Sequence, residues 1–223
     1  MPVLSAARLP AAPVIGESGR VDRQQWDERY SGAEFEWSMH PNQFVAEQLD
    51  GLPPGRALDL AAGEGRNSVW LAGRGWSVTA VDFSTVGLEK GRKLGAAHGL
   101  AASQVDWVVA DLSDYVPARS AFDLVLIAYL QVDAALRDRV LAAAAAALVP
   151  GGTLLVVGHD LTNLTEGVGG PQDPEVLYTP EAITAVLPGL RILRAERVRR
   201  TVERDGRPAT AIDTLVRAER PAS

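Results

Sequence analysis

Three aspartates, each at the end of an apolar run, are the residues whose types and spacing point most directly to chemistry. Asp59 lies in RALDLAAGEGRN, Asp82 in SVTAVDFS and Asp111 in VDWVVADL. One strand-end aspartate is usually a helix cap or a turn residue. Three of them at successive strand ends indicate a shared ligand site, because parallel strands bring their carboxyl ends to one edge of a sheet.

The loop after Asp59 is a poor match to a dinucleotide-binding loop. The pattern G-x-G-x-x-G, begun at Gly63, needs a third glycine where this chain has Ser68, and the first small residue of the loop is Ala61. S-adenosyl-L-methionine has no phosphate, but it requires close backbone approach and acceptors for its ammonium and ribose hydroxyls. Asp59, Ala61 and Gly63 suit that cofactor, and Ala61 adds only a methyl group if the turn keeps its φ negative.

The remaining acids fit the other end of the same cofactor. Asp82 follows Asp59 at nearly the spacing at which an acid meets ribose hydroxyls. A carboxylate accepts hydrogen bonds from both hydroxyls of a cis-diol. Asp111 is placed to accept from the adenine amino group, with Phe83 and Leu112 on the two sides of the ring. We therefore predict S-adenosyl-L-methionine as the cofactor.

Alternating apolar and helix-like segments must position these residues. Strand-like runs alternate with helical segments around 66–74, 85–98, 133–148 and 180–188, which predicts βαβ units and a parallel sheet. RILRAERVRRTV and PATAIDTLVRAE flank Asp205-Gly206, a hairpin signal. The sequence predicts an α/β, Rossmann-like fold with five parallel βα units and a C-terminal antiparallel hairpin. We expect a mobile tail at 1–20 and a single domain at 21–220, with an N-terminal helical lid at 21–52 and the core at 56–220.

From about Trp26 onward the chain resembles the class I S-adenosylmethionine-dependent methyltransferases. The matching stretches, in order, are DLAAGEGRN, VDFS, VVADL, FDLVLIAY and LVPGGTLLV. WDERY and GEGRN are similar to the small-molecule branch that includes tellurite-resistance and thiopurine methyltransferases. The resemblance implies a seven-stranded sheet and methyl transfer, and Ala61 departs from it by replacing the family's first glycine.

Further cofactor contacts are expected from the N-terminal helices and the strand ends. Tyr30 or Arg66 is predicted to bind the cofactor carboxylate. Trp26, Tyr30 and Trp37 could cover the sulfonium, since an aromatic face attracts a cation, although ordinary helix packing explains Trp26 equally well. Ala128, at the end of the fourth strand, is also predicted to contact the cofactor.

His159, in VVGHDLTN at the end of the fifth strand, is the candidate catalytic base. Its unperturbed pKa near 6.5 suits proton transfer at neutral pH, although a histidine simply hydrogen-bonded at a strand end is an equal alternative. Asp160 or Asn163 could orient it. The segment after His159 is long and rich in Gly and Pro, which predicts an acceptor-binding lid. The predicted acceptor site comprises Trp37, His40, Tyr129, Gln131, Asp160, Asn163 and Tyr178.

Bulk properties restrict the acceptor. The formal charge of −6 and an AYLQ ending on the fourth strand argue against a nucleic-acid substrate, and no window is apolar enough for a membrane span. The absence of cysteine excludes thiolate chemistry and favours a cytoplasmic protein. We expect no metal. Nothing in the sequence indicates the oligomeric state.

The sequence therefore predicts a small-molecule methyltransferase, most simply one that methylates a hydroxyl of a sugar or a phenolic metabolite. An S-methyl, tellurite or thiopurine type of acceptor is the alternative, because such nucleophiles need no base. An NAD-dependent reductase and a non-catalytic cofactor-binding domain are the alternatives from other classes. The reductase is disfavoured because there is no Tyr-x-x-x-Lys pair among the chain's two lysines, Lys90 and Lys93.

Overall fold

The computed structural model describes residues 23–32, 35 and 40–222. The predicted tail at 1–20 and the predicted acceptor residue Trp37 lie outside these residues. The helices are α1 (Arg23–Tyr30), α2 (Gln43–Leu49), α3 (Arg66–Ala72), α4 (Thr85–Ala97), α5 (Ala134–Ala147), α6 (Asn163–Glu166) and α7 (Pro180–Ala185). The strands are β1 (Arg56–Leu60), β2 (Ser77–Asp82), β3 (Val105–Val109), β4 (Phe122–Ala128), β5 (Leu148–His159), β6 (Arg191–Arg204) and β7 (Arg207–Glu219).

The seven strands form one sheet in the order β3-β2-β1-β4-β5-β7-β6. Strands β1 to β5 are parallel, whereas β7 runs antiparallel between β5 and β6. This arrangement confirms the predicted Rossmann-like α/β fold with a C-terminal antiparallel hairpin. The strand order reverses between β1 and β4, so the crevice for a ligand lies at the carboxyl ends of these two strands. Asp59 is the penultimate residue of β1, and Tyr129 directly follows the last residue of β4.

Both faces of the sheet are buried by helices, which explains why the central strands are apolar throughout. On one face, α5 and α7 pack through Val140, Leu141 and Ile183 against Leu58 and Ile127. On the other face, residues of α2 and α3 pack on a second set of strand side chains, among them Phe44, Val45, Leu71, Leu126 and Leu155. The carboxyl edge of the sheet is left for polar side chains.

The hairpin brings β7 into the sheet rather than leaving it at an edge. Its turn residues, Asp205 and Gly206, have φ values of 52° and 73°, which are the left-handed values that a two-residue hairpin of this type needs. The register of β5 and β7 places His159 opposite Asp213. The C-terminal hairpin therefore completes the end of β5, where the candidate base lies.

The predicted N-terminal helices are present as α1 and α2. The cap of α2 is Asn42, whose side chain accepts from Phe44 N and Val45 N, so Pro41 precedes the cap instead of starting the helix. The segment after His159, which is predicted to be an acceptor-binding lid, contains α6 and a short 3₁₀ turn at Pro174–Val176. None of the helices formed by the described residues has the length and apolar character needed to cross a membrane.

Candidate active site

The loop between β1 and α3 has left-handed backbone at every second residue. The φ values are 62° at Ala61, 55° at Gly63 and 73° at Gly65. The expectation that the turn keeps φ negative at Ala61 is therefore wrong. A non-glycine residue in this region costs roughly 1–2 kcal/mol because its Cβ approaches the following carbonyl. Ala61 holds a conformation that glycine adopts without strain, and the rest of the loop must stabilise it.

Asp59 is buried beneath this loop and is only partly hydrogen-bonded. Ser68 Oγ donates to Asp59 Oδ2 at 2.6 Å. The other oxygen, Oδ1, is buried without a hydrogen-bond partner in the described residues. Burial, with Asp82 nearby, raises the pKa of the Asp59 carboxyl to about 7. Asp59 Oδ1, a buried acceptor without a donor, suits the cofactor's ammonium group. Ser68 stands where a dinucleotide-binding loop has its third glycine, and its hydroxyl is bonded to Asp59.

Asp82 ties the cofactor loop to the end of β2. Its Oδ2 accepts from Gly63 N at 2.8 Å, and its Oδ1 accepts from Ser84 N at 2.9 Å. Each carboxylate oxygen has a second lone pair, so the side chain can still accept from ribose hydroxyls. Burial raises the pKa of Asp82 above its ordinary value, against the two backbone donors. Asp82 thus shapes the loop, and its predicted contact with ribose stays a prediction.

Helix α1 covers the loop from the N-terminal side. A Cβ built on Gly63 would lie 2.9 Å from the Tyr30 hydroxyl oxygen, so the tyrosine lies directly on the loop. The Trp26 ring lies 5.3 Å from the Tyr30 ring, and the Arg29 guanidinium stands 5.0 Å over Trp26. Asp27 accepts a hydrogen bond from the buried Ser84 hydroxyl. These contacts place α1 where a lid over the cofactor is expected.

Arg66, the first residue of α3, joins the cofactor side to the acceptor side. Burial lowers its pKa, and the charges that act on it include those of Tyr129, Arg200 and Tyr30. The Arg66 side chain is half-buried, so its guanidinium keeps donors for an anionic group. The predicted binding of the cofactor carboxylate by Arg66 or Tyr30 stays a prediction.

The predicted adenine side is less constrained. Asp111 is exposed, and its Oδ1 accepts from Ser113 N at 2.8 Å in a local turn. Phe83 and Leu112 are half-buried, and Leu112 packs against the core cluster. Ala128 ends β4 and packs against the opposite core cluster. Their positions beyond or at the ends of β2, β3 and β4 are those expected, and their contacts with the cofactor stay predictions.

A buried polar group surrounds His159 at the end of β5. His159 Nδ1 lies 3.4 Å from Asp213 Oδ1, and its ring centroid lies 4.8 Å from that of Tyr129. Asp213 Oδ2 accepts from the Tyr129 hydroxyl at 2.9 Å and from Arg200 Nε at 2.6 Å. A Cβ on Gly170 would lie 2.9 Å from Nδ1, so the segment after His159 does close over the imidazole.

Electrostatics hold the Asp213 carboxylate ionised although it is fully buried. Burial alone would raise its pKa, but His159 and Arg200 hold that pKa below its ordinary value. Burial and the Asp213 charge together raise the pKa of Tyr129, so its hydroxyl stays a donor. The pKa of Arg200 is raised by Tyr129 and Asp213 against the effect of burial. The group therefore contains a fixed carboxylate and guanidinium beside the imidazole.

Tyr129 is held by strained backbone and by the N-terminal helices. Its φ is 61°, an uncommon value for an aromatic residue. Its backbone N donates to Val157 O at 2.7 Å, and its hydroxyl accepts from Asn42 Nδ2 at 3.0 Å. Asn42 N in turn donates to Asn67 Oδ1 at 2.9 Å. The predicted acceptor residue is thus fixed in place, and a strained, fixed side chain at a strand end is typical of a functional site.

Three predicted acceptor residues instead stabilise the hairpin and the segment after His159. Asp160 is fully buried and accepts from Thr162, Thr214 and Arg197. Asn163 Nδ2 donates to Gly169 O, and its Oδ1 accepts from Ile212 N. The Tyr178 hydroxyl donates to Leu130 O at 2.7 Å. The side-chain hydrogen bonds of Asp160 and Asn163 go to other residues, and the carboxylate that lies 3.4 Å from His159 Nδ1 is that of Asp213.

The remaining predicted acceptor residues differ in burial. Gln131 is buried, and its Oε1 lacks a hydrogen-bond partner among the described residues. His40 is exposed and precedes the Asn42 cap. His98, the third histidine of the chain, caps α4, with Nδ1 at 2.9 Å from Leu94 O. Within the described chain, no three His, Asp or Glu side chains are grouped as metal ligands.

The sequence interpretation missed Asp213, Arg200, Asn42 and Ser68. Asp213 carried a usable signal, since it is a lone acid on the inward-facing side of the apolar run ATAIDTLV. Arg200 carried none, because it is one of many arginines in the hairpin. Ser68 was noted only because it stands where the dinucleotide-binding pattern has its third glycine.

Sequence comparison identifies a methyltransferase domain in this chain. The family described as "Methyltransferase domain" matches residues 57–152. That range covers the sheet from β1 to the Gly151-Gly152 pair and includes Asp59 and Asp82. A demethylmenaquinone methyltransferase from Clavibacter sepedonicus is 42% identical over 74 residues, which are 33% of this chain. The match spans only 29% of that relative's length.

Solved structures share the fold at low sequence identity. The N-methyltransferase NodS from Bradyrhizobium japonicum WM9, in complex with S-adenosyl-L-homocysteine, has a TM-score of 0.67 at 17% identity, covering 89% of this chain and 98% of NodS. TehB from Haemophilus influenzae has a TM-score of 0.66 at 14% identity, covering 89% of this chain and 66% of TehB. The methyltransferase domain match, the fold and the buried acids Asp59 and Asp82 favour S-adenosyl-L-methionine over a dinucleotide as the cofactor.

Proposed function

We propose that this chain is a class I S-adenosylmethionine-dependent methyltransferase that transfers a methyl group to a hydroxyl of a small molecule, with His159 as the general base. One observation carries the proposal: the His159 imidazole lies at the carboxyl end of β5, buried beside Tyr129, with Nδ1 facing the Asp213 carboxylate. Nε2 is then the ring nitrogen left to accept a proton from an acceptor hydroxyl.

The residues around the cofactor loop suit its charged groups. Asp59 Oδ1 would accept from the ammonium group, and Arg66 with Tyr30 would bind the carboxylate. Asp82 would accept from the ribose hydroxyls while it holds Gly63 N. Bound in this way, the cofactor supplies a methyl group on a sulfonium, whose leaving group is the neutral thioether of S-adenosyl-L-homocysteine.

His159 would act when the acceptor oxygen attacks the methyl carbon. The O–C bond forms as the C–S bond breaks, and the hydroxyl proton moves to His159 Nε2, from which it passes to water. Tyr129 and Gln131, on the segment after β4, would hold the acceptor, with Gly170 and its neighbours closing over the imidazole. General base catalysis contributes about 10²–10⁴-fold, and holding the two reactants in line supplies much of the rest.

The test is the rate of His159→Ala across pH 6–9, with a phenolic and sugar acceptor panel and mass detection of the methylated product. The expected result is a loss of kcat of roughly 10²–10⁴-fold and a flattened pH profile, with unchanged cofactor affinity. His98→Ala is the matched control, because His98 caps a helix away from β5. Turnover equal to wild type at every pH would overturn the base assignment.

The second candidate function is methyl transfer to an acceptor whose nucleophilic atom is not a hydroxyl oxygen. The N-methyltransferase NodS and TehB share this fold, and the demethylmenaquinone methyltransferase shares part of the sequence. An amine, thiol or oxyanion acceptor needs little or no base. If the chain methylates such an acceptor, and His159→Ala does so at the wild-type rate, this candidate is favoured. The proposal that the chain is a methyltransferase would still hold.

A further inference from the structure

The two oxygens of the buried Asp213 carboxylate have different surroundings. Oδ2 accepts from two donors, the Tyr129 hydroxyl and Arg200 Nε. Oδ1 accepts no hydrogen bond from the described residues, is buried, and lies 3.4 Å from His159 Nδ1. A buried carboxylate oxygen needs a donor, and His159 Nδ1 is likewise buried without a hydrogen-bond partner among the described residues.

The directions of the two donors fix the carboxylate. A guanidinium has no acceptor, so Arg200 Nε must point its hydrogen at Oδ2. The Tyr129 hydroxyl accepts from Asn42 and therefore donates to Asp213. With Oδ2 occupied from β6 and from the end of β4, Oδ1 is directed toward β5.

We propose that Asp213 is the positioning residue of His159: its Oδ1 accepts from Nδ1–H, which fixes the imidazole as the tautomer with its lone pair on Nε2. Arg200 balances the charge of the Asp213 carboxylate through the hydrogen bond from its Nε to Oδ2. The distance of 3.4 Å is long for a hydrogen bond, and the hydrogen bonds of catalytic bases are often long in the absence of substrate. This inference rests on the proposed function for its catalytic consequence, but the tautomer itself does not depend on it.

Asp213→Asn tests the inference because the asparagine can adopt only one orientation. Arg200 and Tyr129 require an acceptor at the Oδ2 position, so the amide nitrogen takes the Oδ1 position and donates to Nδ1. That donor selects the opposite tautomer, with hydrogen on Nε2 and no lone pair for the substrate proton. The side chain keeps nearly the same size, and the groups facing it (His159, Tyr129, Arg200) are unchanged.

The tautomer is read directly by ¹⁵N NMR of imidazole-labelled protein, with the His159 signals assigned through His159→Ala. In the wild type at pH 8 we expect hydrogen on Nδ1, and in Asp213→Asn we expect hydrogen on Nε2. Hydrogen on Nε2 in the wild type would overturn the inference, whatever the stability of Asp213→Asn. An unchanged tautomer in a folded Asp213→Asn protein would overturn it as well.

Kinetics separate positioning from a structural role. We expect Asp213→Asn to lower kcat by roughly 10²–10⁴-fold, with KM for S-adenosyl-L-methionine changed by less than about threefold. Thr214→Val is the matched control: Thr214 is the buried neighbour of Asp213 and donates to Asp160 Oδ2 at 2.6 Å. We expect it to lower stability without changing the tautomer.

The outcomes distinguish this inference from the proposed function. The expected tautomers together with full activity in both Asp213→Asn and His159→Ala would leave the positioning intact and refute the base role. Loss of activity in His159→Ala alone, with Asp213→Asn unchanged in rate and tautomer, would refute the positioning and leave the base role intact.

Discussion

Cofactor binding by this chain is expected to release a proton from Asp59. In the cofactor-free protein, burial raises the pKa of the Asp59 carboxyl to about 7, because Oδ1 has no donor to offset desolvation. An ammonium group placed at Oδ1 would favour the ionised form. Below pH 7, therefore, the cofactor must displace the proton that Asp59 holds, and its apparent affinity falls with pH.

The magnitude follows from the pKa of about 7 for Asp59. If only ionised Asp59 binds the ammonium, the apparent Kd is raised by a factor of about 30 at pH 5.5 and about 2 at pH 7. The affinity should thus drop about 15-fold over this range, or about 1.6 kcal/mol. The range lies below the usual pKa of an α-amino group, about 7.7–8.0, so the cofactor keeps its own charge throughout.

Isothermal titration with S-adenosyl-L-homocysteine at pH 5.5, 6, 6.5 and 7 measures this affinity. Titrations at pH 6 in buffers of different ionisation enthalpy count the proton, and about 0.9 proton should be released per cofactor. Asp59→Asn keeps an acceptor for Ser68 but cannot ionise, so it should bind weakly and without this release. His159→Ala, which leaves Asp59 and Ser68 unchanged, should still release the proton. Affinity in the wild type that is constant from pH 5.5 to 7 would refute the reasoning.

The same pKa fixes the sign of a stability effect. The folded pKa of Asp59 lies above its unfolded value, so the folded protein binds this proton more tightly. The resulting contribution to stability is full at low pH and is lost as the pH rises from about 4 to about 7. Saturating S-adenosyl-L-homocysteine should therefore raise Tm more at pH 7 than at pH 5.5.

Three further substitutions test the loop and the Asp82 carboxylate that holds it. Ala61→Gly should raise the free energy of unfolding by about 0.5–1 kcal/mol, because relief of left-handed strain exceeds the added freedom of the unfolded chain; urea denaturation measures it, and a loss of stability would contradict the φ of 62°. Gly63→Ala is its counterpart and should destabilise, since its φ is also positive and its Cβ would meet Tyr30. Asp82→Asn should lower the free energy of unfolding by about 1–3 kcal/mol, because its NH2 group would face one of the two backbone N–H groups from which the carboxylate accepts. The same substitution should weaken cofactor binding more than tenfold. Calorimetry checks the affinity, and wild-type binding by Asp82→Asn would contradict the ribose role.

The loop and the strand-end acids of the candidate cofactor site could be read from the sequence because their signals are local. Strand-end acids, a small-residue loop and an Asp205-Gly206 turn depend on a few consecutive residues, and the sheet then brings them together. The conformation of Ala61 was not predictable, because the choice of positive φ is made by the whole loop. Likewise, Ser68 gains its meaning only through the 2.6 Å hydrogen bond to an acid nine residues earlier.

By itself, then, the sequence determined the α/β fold, the methyl donor and the position of His159 at a strand end. Only the tertiary structure decided what stands beside that histidine. Asp160 is its neighbour in the chain, but successive strand residues point to opposite faces, so Asp160 joins the hairpin through Thr214 and Arg197. Asp213, 54 residues later, reaches His159 because antiparallel pairing of β7 with β5 sets the two opposite each other. Strand register, which depends on the folded sheet as a whole, is the physical reason that this partner could not be found along the chain.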